Sequence, residues 1–273
     1  MRNLVVGALT LAVVGALGTW AAVSAGQAKP APAAAPKPAA DCSGLPDHAK
    51  LRAALIDVVK QGKDQNTGLG NHEWAAVVNR DGIVCAVAFS GPDRGAQWPG
   101  SRAIAAEKAS TANALSKPDF ALSTANLLAA AQPGGSLFSL VNSAPPNPDA
   151  AYAGNAADFG QPNDPMVGKP IGGVIVFGGG LALYDAGGKM LGGLGLSGDT
   201  SCADHVIAWK LRHALALDAV PGGVGQNATD NMILDLQNGQ SVSGYGHPSC
   251  KGGKPSDDVI HELDSKLPTG KKR

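Results

Sequence analysis

His205 and Trp209 stand four residues apart in HVIAW, within a stretch whose apolar residues recur at helical spacing, so imidazole and indole share one face of a helix. An imidazole in that place is able to ligate a metal ion, and an indole one turn on is able to stack on a flat ring. Just upstream, Ser197-Gly198-Asp199-Thr200-Ser201 turns the chain into the helix, and the free amides of a helix start can hold a carboxylate. A second group sits in AEKAST, where Lys108, with Glu107 beside it and Thr111 one turn on, lies on an otherwise apolar face and calls for an anion. Each group also has a plainer reading. His205 and Trp209 would pack as a seam in the core, and Lys108 would lay its stem over apolar neighbours and carry its charge to solvent. His48, at the start of another helix, is a weaker ligand candidate, since a histidine there is usually just solvated.

The elements that must position His205 and Trp209 run from Gly172 to Leu217. Leu181 to Tyr184 and Lys189 to Leu196 flank Asp185-Ala186-Gly187-Gly188 and read as a hairpin. Ser201 followed by Asp204 is a start of the capping-box kind, after which Ile207, Leu211, Ala214 and Leu215 make the buried stripe, with Lys210, Arg212 and His213 elsewhere. Upstream, Pro46-Asp47 opens a helix with Leu51, Leu55, Val58 and Val59 on one side. Trp74–Asn79, Arg80-Asp81-Gly82 and Ile83–Phe89 form a second hairpin, and Ser101 starts an alanine-rich helix over Arg102–Leu115. A further helix is expected from Ser123 or Thr124 to Gln132. Residues 143 to 170 form a long Pro, Asn, Asp and Gly-rich connection, either a lid or rim of a site or a packed Ω-like excursion.

The 273-residue chain carries no net formal charge and only 16% charged residues, with no basic stripe bearing interleaved aromatics, which sets nucleic-acid binding aside. Its ends are not core material. Residues 1 to 25 combine a positive start, an apolar run from Leu4 to Leu17 and Val23-Ser24-Ala25, the pattern of a secretory signal peptide or, uncleaved, of an N-terminal membrane anchor. Residues 26 to 41 are a Pro/Ala-rich tether, 42 to 250 the folded domain, and 251 to 273 a flexible charged tail with room for a short helix at Asp257–Leu267. Secretion or a periplasmic location permits disulfides among Cys42, Cys85, Cys202 and Cys250. All three pairings stay open, and bridges from Cys42 and Cys250 to Cys85 and Cys202 would staple both ends to the core. The alternative for Cys85 is a buried thiol, and no CxxC or HxxxH spacing suggests zinc.

Gly193-Leu194-Gly195-Leu196-Ser197-Gly198 matches the G-x-G-x-x-G of dinucleotide sites, with Asp218 about twenty residues on. A hairpin precedes it and no clear parallel strand follows the helix, so the βαβ setting that gives the motif its meaning is missing.

WAAVVNRDGIVCAVAFSG (Trp74–Gly91), QWPGSRAIAAEKASTANAL (Gln97–Leu115), NDPMVGKPIGGVIVFGGGLALYD (Asn163–Asp185) and GGLGLSGDTSCADHVIAWKLR (Gly192–Arg212), in this order, resemble the GlcG/HbpS-like heme-binding family, in a branch exported from the bacterial cytoplasm. The resemblance covers roughly Leu45 to Val220. It implies a profilin-like α/β/α sandwich with a central, mostly antiparallel five-stranded sheet, assembly into homo-oligomers, and heme as cofactor and partner. Given heme, His205 is the first choice of iron ligand and Trp209 the stacking ring. Lys108, Thr111, Glu107, Ser197 and Gly198 would then border the cofactor. The function expected is an exported, non-catalytic heme-binding protein for storage, delivery or sensing. Two alternatives stand beside it. One is an enzyme acting on a small carboxylate metabolite, for which the chain offers no G-x-S-x-G or HExxH. The other is an extracytoplasmic sensor or scaffold partner, supported by the tether and tail.

Overall fold

The computed structural model describes residues 41 to 60, 68 to 250 and 257 to 269. The expected signal or anchor segment and nearly all of the tether lie outside the described residues.

Four strands, β1 (Trp74–Asn79), β2 (Val84–Phe89), β3 (Gly180–Tyr184) and β4 (Met190–Ser197), form an antiparallel sheet in the order β2-β1-β4-β3. Among the described residues, four helices of two turns or more accompany it: α1 (His48–Lys60), α2 (Ser101–Leu115), α3 (Ser201–Ala214) and α4 (Asp257–Lys266). The alternation along β1 divides the core. Ala75 and Val77 face a cluster with Leu51 and Leu55 of α1, Val206 and Leu211 of α3, and Ile260 and Leu263 of α4. Trp74, Ala76 and Val78 face Ala105 and Ala109 of α2. Helices on both faces of one sheet make three layers, as the resemblance implied, and both hairpins lie where turn chemistry placed them.

The strand count differs from expectation, because among the described residues the sheet has four strands and not five. At the β2 edge, Val84 N–H donates to Lys169 O and Gly168 N–H to Val84 O, but the pairing shrinks to one bridge at Ile83 and Pro170. Pro170 has no amide hydrogen, and Gly172 and Gly173 then turn away at positive φ. At the β3 edge, Tyr184 meets Asp218 in a single parallel bridge before Pro221. The remaining regular pairing among the described residues is a separate two-stranded hairpin, β5 (Leu236–Gln237) and β6 (Gln240–Ser241).

The G-x-G-x-x-G stretch has a packing role. A Cβ on Gly195 would lie 1.9 Å from Ala105 O, and one on Gly193 would lie 2.2 Å from Ala109 O. The backbone of α2 therefore rests directly on β4, which explains an alanine-rich helix over a glycine-rich strand. Two disulfides, Cys42–Cys85 and Cys202–Cys250, close the ends of the domain onto β2 and α3. The long 143 to 170 connection is packed. Arg102, buried at the start of α2, pairs with Asp164 and donates to Ala151 O at 2.8 Å, and Met166 and Ile171 are fully buried. Among the described residues no helix is long and apolar enough to cross a membrane.

Candidate functional site

The bend into α3 is built from its carboxylates. Asp199 accepts backbone N–H bonds from Leu69, Asn71 and Thr200 at 2.6 to 3.0 Å, which folds residues 68 to 71 against the bend. Thr200, one residue before the expected Ser201, is the cap, accepting from Ala203 N–H, and Asp204 reaches back to accept from Asp199 N–H at 3.0 Å. Ser201 is spent elsewhere. Its hydroxyl accepts from Gly178 N–H at 2.7 Å and contacts His247 Nε2 at 2.7 Å. The amides of Asp199, Thr200, Ala203 and Asp204 thus find partners inside the protein.

Beneath the bend lies a buried charge cluster. Lys108 Nζ is 2.5 Å from Asp204 Oδ2 and 4.3 Å from the Phe177 ring, and both side chains of the ion pair are fully buried. The anion that Lys108 calls for is thus internal, and its ammonium does not reach solvent. Burial raises the Asp204 carboxyl to about 6 despite the neighbouring lysine. Glu73 is fully buried in the same cluster, and no described donor reaches either of its oxygens. Burial first, and then the adjacent Asp204, hold its carboxyl well above the usual range. Asp204, in direct contact with the ammonium, is the lysine's counterion, and its charge adds to the burial that disfavours ionisation of Glu73. Gly198 gives these groups room, since a Cβ there would lie 2.7 Å from Glu73 Oε2. Ser197 ends β4 opposite Trp74. Thr111 Oγ1 donates to Glu107 O and accepts from Ile175 N–H, while Glu107 is buried under Gly173, with its carboxyl raised by burial.

His205 is 0% exposed. Its Nε2 lies 3.1 Å from Asn231 Oδ1 and 3.2 Å from Met232 N, and its Nδ1 is buried without a partner. Gly178 passes so close over the first turn of α3 that a Cβ there would lie 2.9 Å from both His205 Cβ and Met232 Cε. Burial lowers the imidazole to about 4, so it is neutral at neutral pH. Trp209, with ring centroids 6.1 Å from His205, is buried too and donates from Nε1 to Leu267 O at 3.0 Å. The expectation that this imidazole faces a cavity is not met. His205, Trp209 and Lys108 share the core around α3, and no face of the imidazole is open to a macrocycle. The covers of His205, which are Gly178, Asn231 and Met232, are remote in sequence, which is why helical spacing alone gave no sign of them.

Among the described residues, a concavity lies on the other side of α3. A groove of about 960 Å³ runs between α1, α3 and α4. Its floor includes Ala54, Val58, Ala214 and Leu263, and Lys50, Lys210 and Lys266 also line it. Burial and the nearby Lys266 lower the Lys210 ammonium to about 8. His213 lines the groove with its side chain 44% exposed, and its Nδ1 is 2.7 Å from Asp218 Oδ2. In the sequence Lys210 and His213 read only as the polar side of an amphipathic helix, and Val58 and Ala214 as parts of apolar stripes. The signal that could have found them is the spacing of His213 and Asp218 across the helix end, together with an apolar stripe on α4.

Residues 52–212 match the family model described as haem degrading protein HbpS-like. The chain belongs to the HbpS-like family. Solved structures similar to it include a PduOC:heme complex, at 24% identity over 61% of this chain and 89% of that one, with a TM-score of 0.41. Klebsiella pneumoniae protein ORFY is 22% identical over 62% of this chain and 87% of that one, with a TM-score of 0.41. HbpS is 15% identical over 67% of this chain and 95% of that one, with a TM-score of 0.37. No curated protein matches the chain. The match to the HbpS-like model ends at Arg212, so α4 and the pair His213 and Asp218 lie beyond it.

Proposed function

We propose that this chain is an exported heme-binding protein that holds heme for storage, delivery or sensing. Membership of the HbpS-like family, through the match over residues 52–212, carries the reading. Two closed disulfides and no free cysteine among the described residues favour an oxidising compartment, in keeping with the signal-peptide pattern of residues 1 to 25. On this reading the buried residues of the bend, His205, Trp209, Lys108 and Asp204, hold the scaffold that presents the cofactor surface, and homo-oligomers are the expected assembly.

Titrating hemin into the full chain tests the reading: a saturable Soret shift at one heme per chain is expected, and an unchanged free-hemin spectrum would refute it. The family's description favours a second reading, in which bound heme is degraded. Following the bound Soret band under a reductant or peroxide separates the two, because storage preserves the band and degradation bleaches it with release of iron.

A further inference from the structure

We propose that the groove between α1, α3 and α4 is the heme site and that His213 is the iron ligand. The inference rests on the heme-binding reading above and places the site outside the bend. Heme asks three things of a protein: an apolar slot for the flat macrocycle, cations for two propionates, and a side chain with a lone pair for iron. The groove offers each. Its volume of about 960 Å³ lies in the range of cofactor pockets, and it is walled by Ala54, Val58, Ala214 and Leu263. Lys50, Lys210 and Lys266 outnumber the two carboxylates that line it, Asp57 and Glu262, and Glu262 is already paired with Lys266.

The donor is the decisive feature. Asp218 engages Nδ1 of His213 at 2.7 Å and leaves Nε2 as the nitrogen for a ligand. A carboxylate behind the far ring nitrogen is how proteins fix the tautomer and orientation of a metal-binding imidazole. His205 has no such support: its Nε2 is taken up by Asn231 and Met232, and it is sealed on all sides. The pair is also set by the fold. Ala216, at positive φ, ends α3 and swings Asp218 back toward His213, while the bridge from Asp218 to Tyr184 ties that turn to the sheet.

The test is hemin titration of the full, oxidised chain, read by absorbance and by electron paramagnetic resonance for imidazole ligation. Wild type should show a saturable Soret shift and an imidazole signature. His213→Ala should lose that signature and bind at least tenfold more weakly, and added imidazole should restore the spectrum. Asp218→Asn should weaken binding roughly tenfold with the signature altered but present. Ala54→Trp, which fills the slot and leaves the imidazole in place, should also weaken binding, and His261→Ala, on α4 but outside the groove lining, should behave as wild type. A His213→Ala protein with wild-type affinity and spectrum overturns this assignment and leaves the heme reading standing. A wild-type chain that gives no Soret shift overturns both.

Discussion

Replacing Asp204 by asparagine tests the buried cluster beneath the bend, because it removes the counterion of a lysine that has no access to water. Lys108 Nζ and Asp204 Oδ2 are 2.5 Å apart and both side chains are fully buried. Breaking a buried pair by removing one partner costs about 3 to 5 kcal/mol, since the remaining charge is left uncompensated. For a domain of this size that corresponds to a fall in Tm of roughly 6 to 20 °C. The replacement side chain could still accept from Asp199 N–H through its amide oxygen, so the loss reports the charge and not the helix cap. Lys108→Met should be similarly destabilised at pH 7, but its deficit should shrink toward pH 5, where Asp204, released from the lysine, takes up a proton more readily. Asp204→Asn has no such relief. The double variant Lys108→Met/Asp204→Asn should recover at least half of the summed loss, since neither side chain then carries a charge that needs a counterion. Urea unfolding with both disulfides intact is the assay. An Asp204→Asn protein within about 1 kcal/mol of wild type, or a strictly additive double variant, would refute the assignment of Asp204 as the buried counterion.

Three further outcomes follow from the same packing. His205 titrates at about 4 in the folded chain against 6.5 when exposed, so its contribution is fully present above pH 6.5 and is lost as pH falls through 4. His205→Gln should remove about 3 kcal/mol of this acid-side loss, leaving Asp204 and Glu73, whose raised carboxyls act in the opposite sense, to make stability hold or rise between pH 6.5 and 4 in chemical-denaturation curves. Paired Cys202→Ser and Cys250→Ser replacement opens a loop with a sequence separation of 48. It should cost about 4 kcal/mol by chain entropy, and protease should then cut first near α4. Gly195→Ala places a Cβ 1.9 Å from Ala105 O, a contact that only separation of α2 from β4 can relieve. It should cost upwards of about 3 kcal/mol, read as a lower urea midpoint.

Local structure was largely legible in the sequence. The turns at Arg80-Asp81-Gly82 and Asp185-Ala186-Gly187-Gly188, and the stripe Leu51, Leu55, Val58 and Val59, follow from short-range chemistry, and the structure has them in place. The cap of α3 fell one residue early, on Thr200, because a bend with Ser and Thr adjacent offers two equivalent hydroxyls. The five-stranded sheet came from kinship and fails at Pro170 and Asp218, where each edge pairing is one bridge long. The environment of His205 was illegible for a different reason. Its cover is Gly178, Asn231 and Met232, brought in by contacts across 26 and 27 positions or by a close backbone approach that only a glycine allows. Likewise, nothing about HAKLRAAL or DDVIHELDSK by itself tells that α1 and α4 leave a gap between them over His213. Tertiary placement creates that groove, and the Cys202–Cys250 bridge that anchors the approach to α4 could not be chosen from three pairings by spacing.

The measurement that bears most directly on the central claim is the absorbance spectrum of the full chain isolated, disulfides intact, from the compartment it occupies in its own cell. A heme-binding protein should emerge coloured, with a Soret band and a pyridine hemochrome that accounts for about one heme per chain. A colourless protein that stays colourless when equimolar hemin is added would contradict the account.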